Sequence, residues 1–118
     1  MQKFSDILKN KMDEYARGVY IVSKNFPRDE IYGLTSQLRR AALSVILNYV
    51  EGFARRTGDG CKTFANFSRI SYGSLKESQY LLYFAHREKY LADEAFKRLS
   101  AIANEIGAML YTTINPGT

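Results

Sequence analysis

The side chains with which a chain does covalent or metal chemistry are scarce here. There is one histidine, His86, and one cysteine, Cys61. Neither belongs to a ligand-spaced cluster, so the sequence implies no metal and no cofactor. His86 lies in the run His-Arg-Glu-Lys and has no orienting acid at a recognisable spacing. No Ser–His–Asp arrangement can be built on it, and it reads as a partly exposed helix residue. Cys61 falls near the start of a helix with no histidine near it in sequence, and it reads as a helix-start residue, not a nucleophile. Gly58-Asp59-Gly60 lacks the Lys-Ser/Thr of a phosphate loop and follows a helical pattern, so it reads as a turn. The acid pairs Asp13/Glu14, Asp29/Glu30 and Asp93/Glu94 are sequence neighbours, which do not face one another on a helix. No catalytic residue is identified, and the chain is not expected to be an enzyme.

Two other patterns stand out, and they meet in one stretch. Arg40, Ser44, Asn48, Glu51 and Arg55 recur at steps of four, four, three and four, one side of a helix. Ser74 and Glu77 on the next helix are natural partners. The pattern reads first as a satisfied polar network that fixes the register of helices or subunits, with a ligand or nucleic-acid site as the alternative. The second pattern is charge. From Arg39 to Lys76 seven basic residues stand against two acidic ones, which accounts for the whole net charge of +5. Arg39, Arg55, Arg56, Lys62, Arg69 and Lys76 are the candidates for contact with nucleic-acid phosphates, RNA or DNA. The alternative is a solvated basic end with no partner. Arg55 fits either set.

The elements that must position these residues are four helices, at about 4–24, 34–56, 62–88 and 92–114. The first shows Phe4, Ile7, Leu8, Met12, Tyr15, Val19, Val22 and Phe26 at helical spacing. Ser5-Asp6 supply its caps, and Phe26-Pro27 ends it. A connection at 28–33 follows, where Gly33 can take a positive φ. Thr35 or Ser36 caps the second helix. Its segment 41–50 is apolar nearly all round, as is 80–85 in the third, and both predict burial on two sides. A bundle this small cannot bury them alone, so part of this surface is expected to meet another subunit. Ser71, Ser74 and Ser78 allow close helix approach. Each helix also holds an interior glycine (Gly18, Gly52, Gly73, Gly107), which suggests tight packing. Short links make the helices antiparallel neighbours, and the fold is an all-α up-down-up-down four-helix bundle.

At 118 residues the chain reads as one domain, 1–118, large enough for a core without disulfides. A lone cysteine fits a reducing compartment, and the start MQKFSDILKNKMDEY lacks an apolar signal region. The expectation is a cytoplasmic protein without membrane spans.

Phe26-Pro27, the run Glu30–Ala41 (EIYGLTSQLRRA), Ser44, Asn48, Glu51-Gly52, Arg55 and Gly73–Glu77 (GSLKE) resemble the four-helix bundle protein family. Its members include proteins encoded in intervening sequences of bacterial large-subunit ribosomal RNA genes. They also include relatives of the accessory variability determinant of diversity-generating retroelements. The similarity covers about residues 15–113. It implies a homopentameric ring without known enzymatic activity and, for the accessory branch, nucleic-acid binding and contact with a reverse transcriptase. The family's more frequent residues before and after Asn48 are replaced by Ile46-Leu47 and Tyr49-Val50, while Phe67–Glu77 leans toward the retroelement side. A scaffold that binds a protein and no nucleic acid is the alternative function.

Overall fold

The computed structural model describes residues 2–58 and 61–117. Its helices are α1 (Gln2–Ser23), α2 (Leu34–Ala54), α3 (Lys62–Arg87) and α4 (Asp93–Ile114), with a 3-10 turn at Arg28–Glu30. Neighbours pack in the cyclic order α1–α2–α3–α4–α1, so consecutive helices run antiparallel. No strand occurs among the described residues. The expected four-helix bundle is what the chain forms, 46 Å along its longest axis.

Each helix turns one stripe inward. On α1 it is Leu8, Met12, Tyr15 and Val19, all fully buried. Leu38, Ala42, Val45 and Tyr49 do the same on α2, Leu75 and Leu82 on α3, and Leu99, Ala103, Ile106 and Leu110 on α4. Steps of three and four place each set on one face. Phe4 and Ile7, expected on the inner face of α1, instead reach solvent.

Several helix ends differ from expectation. Ser5 is not a cap. It is buried one turn inside α1, and its hydroxyl hydrogen-bonds the Tyr49 hydroxyl at 3.0 Å. Neither Thr35 nor Ser36 caps α2, which starts one residue before Thr35, behind Gly33. The Glu30 carboxylate accepts from the Leu34 N–H at 3.3 Å and so places a negative charge at the helix N-terminus. Gly33 has φ −116°, not a positive value. A Cβ at Gly33 would stand 3.2 Å from that carboxylate, close enough to make it shift slightly. At the other end of the bundle's third helix, the Tyr90 N–H reaches the Ala85 carbonyl and the Lys89 N–H that of His86. This is the paired C-terminal closure in which the residue after the cap turns left-handed; here it is Lys89, at φ 67°.

The interior glycines divide. A Cβ at Gly52 would lie 2.6 Å from Phe67 Cβ, and one at Gly18 would lie 2.6 Å from Leu99 Cδ2. One at Gly107 would make ordinary contact with Leu75, and one at Gly73 would meet nothing within 4 Å. Close packing therefore explains Gly52 and Gly18 but not Gly73.

Tyr15 spans the centre of the bundle. Ser78 donates to the Leu75 carbonyl at 2.7 Å, so its lone pairs accept the Tyr15 hydroxyl at 2.8 Å. Burial pushes the Tyr15 pKa up to about 12, only partly countered by the Ser78 bond. One buried hydroxyl among the described residues, that of Ser68, has no partner.

Gly52→Ala should destabilise the chain by roughly 1–3 kcal/mol in urea denaturation, because Phe67 Cβ cannot move away without its backbone. Gly73→Ala should stabilise it by up to about 1 kcal/mol through helix propensity. The alkaline limb of stability is also determined. An unfolded tyrosine loses its proton near 10, whereas Tyr15 in the fold holds its proton to about 12. Its contribution is complete below about pH 10 and is lost as pH rises through about 12, amounting to roughly 2–3 kcal/mol. Denaturation from pH 7 to 11.5 should show a steeper fall for the native sequence than for Tyr15→Phe.

Candidate nucleic-acid interface

The six basic residues singled out by sequence do not form one patch. Arg39 on α2 and Arg55 at its C-cap are sixteen residues apart, about 24 Å along the helix axis. Arg55, Arg56 and Lys62 gather at the turn between α2 and α3, with Arg69 two helical turns further along α3. Lys76 lies in the other half of α3, its Nζ 5.2 Å from the Tyr72 ring centroid.

At the α2–α3 turn the cations stand on an aromatic base. Tyr49, Phe53 and Phe64 form a cluster with centroids 5.5 to 6.1 Å apart. The Arg56 guanidinium lies 3.8 Å over the Phe53 ring, and it donates to the Phe53 carbonyl at 2.7 Å. Arg55 reaches Glu51 at 2.6 Å and leans over Phe67 at 5.6 Å. Arg69 donates to Asn66 at 3.1 Å, and Lys62 is exposed at the first position of α3. A further cation, Lys9 of α1, sits 4.9 Å over the Phe53 ring. Sequence reasoning missed Lys9. The only signal for it is the antiparallel path, which lays the first half of α1 alongside the end of α2.

The polar stripe of α2 takes its expected partners on α3. Arg40 donates to Glu77 at 3.1 Å, and the Ser44 and Ser74 hydroxyls meet at 2.7 Å. Asn48 Nδ2 donates to both the hydroxyl and the carbonyl of Ser44, at 2.8 and 2.9 Å. Ser71 donates to the Val45 carbonyl at 2.6 Å. These pairs set an antiparallel register in which Leu47 and Ile70 stand at the same height. Ser44, Asn48 and Ser74 are half-buried, whereas Arg40, Glu77, Glu51 and Arg55 face solvent. The ion pairs are therefore worth little individually.

Both all-round apolar segments are only half covered within one chain. On α2, Ala41, Ala42, Val45 and Tyr49 are buried, while Leu43, Leu47 and Val50 are exposed. On α3, Leu82 and Ala85 are buried, while Tyr80, Tyr83 and Phe84 are exposed.

His86 does have an acid partner, contrary to its sequence reading. Its Nε2–H donates to Asp93 at 2.6 Å, across the turn from α3 to α4. Its ring stacks on Phe96 at 4.2 Å between centroids. That bond is the main cause of a lowered Asp93 pKa. The pair joins the end of one helix to the start of the next, where the Asp93 carboxylate suits the N-terminal dipole of α4. Cys61 is exposed, at φ 72° immediately before α3. Among the described residues no group of three or more His, Cys, Asp or Glu could hold a metal ion. No helix of the described residues is long and apolar enough to cross a membrane.

Short links, a cyclic antiparallel order and one inward stripe per helix define an up-down four-helix bundle. The chain belongs to the family described as 23S rRNA-intervening sequence protein, whose model matches residues 6–112. A similar solved structure is a Bacteroides thetaiotaomicron VPI-5482 protein of unknown function from the S23 ribosomal protein family. It superposes with a TM-score of 0.82 at 20% identity, covering 94% of this chain and 97% of the other. At that identity the likeness shows the fold alone. No curated protein matches the sequence.

Proposed function

We propose that this chain is a non-catalytic, self-assembling RNA-binding protein. The observation that carries the reading is the cation cluster at the α2–α3 turn. Arg55, Arg56 and Lys62 gather there, Lys9 stands over the Phe53 ring with Asp6 4.0 Å away, Arg69 follows two turns along α3, and the one described carboxylate on α2, Glu51, is already engaged by Arg55. The family description says where such proteins are encoded and names no partner, so RNA is proposed as the anionic partner on charge alone. Assembly is the second part of the proposal. Leu43, Leu47 and Val50 on α2, with Ile70, Tyr80 and Phe84 on α3, leave apolar side chains uncovered on either side of the Ser44–Ser74 contact. A second copy is the occupant that the all-round apolar segments call for. The pentameric ring implied by the family resemblance would repeat each basic turn around an axis and sum their fields. In the retroelement version of this reading, the ring presents its RNA to a reverse transcriptase, and a neighbouring reverse-transcriptase gene marks that branch. The uncovered apolar face also favours a second reading, a protein-binding scaffold. Its mark is a partner that copurifies from the native host after nuclease treatment.

Fluorescence anisotropy with labelled single-stranded RNA tests the first part. Four phosphate contacts predict a slope of log K against log salt of about −3. Reversing Arg55, Arg56 and Lys62 to glutamate should weaken binding about a hundredfold or more while leaving the assembly intact. Absence of any salt-dependent binding at low ionic strength would sink it. Light scattering tests the assembly. The native chain should exceed one protomer at micromolar concentration, and Leu47→Glu, at a side chain 61% exposed, should reduce it to a folded monomer. Leu82→Glu should instead unfold the protomer, because Leu82 is only 1% exposed.

A further inference from the structure

The corner where α1 gives way to α2 lies at the opposite end of the bundle from the basic turn. It encloses a depression of about 300 Å³ whose lining includes Ser23, Lys24, Arg28, Thr35 and Arg39, and no acidic residue among the described ones. Arg39 is its fixed point. Its Nε donates to Ser23 Oγ at 2.8 Å, and Ser23 is itself anchored by donating to the Tyr20 carbonyl at 3.2 Å. The guanidinium carbon sits 4.7 Å from the Tyr20 ring centroid. One edge and one face of the guanidinium are therefore committed to neutral groups, and its two terminal nitrogens have no hydrogen bond or ion pair with a described residue.

That separates Arg39 from Arg17, Arg40 and Arg55, each of which reaches a carboxylate. Arg39 itself is half-buried. Arg39 is oriented without being neutralised, and its remaining fork offers the parallel N–H pair that matches a phosphate. Lys24 and Arg28 are exposed at the rim and add charge of the same sign. The Tyr32 ring, next in sequence to the lining residue Ile31, stands 95% exposed. A ring so placed is free to stack on a base carried by the bound phosphate. We infer that this corner is a nucleotide-phosphate site in which Arg39 grips the phosphate, Lys24 and Arg28 hold its charge, and Tyr32 stacks on the base. The inference is independent of RNA binding at the α2–α3 turn.

The test is titration of the full-length, 15N-labelled chain with inorganic phosphate and with adenosine 5′-monophosphate at constant ionic strength. Expected are saturable shifts confined to residues 20–39, with Tyr32 moved by the nucleotide more than by phosphate alone. Arg39→Gln should weaken binding about tenfold or more. So should the double variant Lys24→Gln/Arg28→Gln, whose exposed side chains leave the melting temperature unchanged. Repeating the titration with single-stranded RNA separates the sources. Movement of the same resonances supports the site with a polymer phosphate, and movement by the mononucleotide alone supports it with a free nucleotide. Non-saturating shifts, shifts equal at both ends of the bundle, or unaltered affinity in the double variant overturn the proposal. Its failure leaves the basic turn untouched, because that reading is tested by Arg55, Arg56 and Lys62.

Discussion

The seam between α2 and α3 is the constraint on which the rest of the molecule depends. At Gly52 there is no room for a side chain against Phe67 Cβ, so the two backbones approach closely at that level. Ser71 then fills the gap further up and bonds the Val45 carbonyl at 2.6 Å, and Ser44 meets Ser74 at 2.7 Å. With these contacts made, the height of every residue on one helix relative to the other is determined. The Arg40–Glu77 and Ser44–Ser74 pairs, the outward Leu47 and Ile70, and the cations around the turn all follow from that register. At the turn itself the aromatic cluster offers its faces to the cations: Arg56 rests on the Phe53 ring, and Lys9 stands over the same ring with the Asp6 carboxylate 4.0 Å away.

Much of this was legible in the sequence. Helix positions followed from apolar spacing and from Pro27 and the Gly58 turn, because those signals act over a few residues. The partners Ser74 and Glu77 were readable because a short turn forces α2 and α3 to lie antiparallel. Contacts set by global geometry were not readable. Lys9 joins the Phe53 ring only because α1 passes beside α2. His86 finds Asp93 only because the left-handed Lys89 folds the chain back sharply. By residue type alone Ser5 reads as a cap, since serine near a helix start is usually exposed. Its burial against Tyr49 comes from the neighbouring helix, which local propensity does not contain.

Charge is handled differently at the two ends of α2. Near Arg55 several positive side chains crowd over a carboxylate, a carbonyl and aromatic rings. Near Arg39 a single guanidinium is held by Ser23 and Tyr20, which suits one oxyanion in one orientation. A net charge of +5 is therefore a poor description of the surface. Adjacent residues can belong to different sites, as Arg39 and Arg40 show by turning toward α1 and α3 respectively.

The two hydroxyl pairs of α1, Ser5 with Tyr49 and Tyr15 with Ser78, have a consequence for motion. Apolar stripes alone tolerate sliding, since a shift of one helical turn replaces one aliphatic contact with another. A slide of about 5.4 Å by α1 would part both pairs together and strand buried hydroxyls, at roughly 1–3 kcal/mol each. The pairs act as detents at two heights on the same helix, one toward α2 and one across the core toward α3. Any change of shape on meeting a partner is thus directed away from helix sliding and into the turns and the outward side chains.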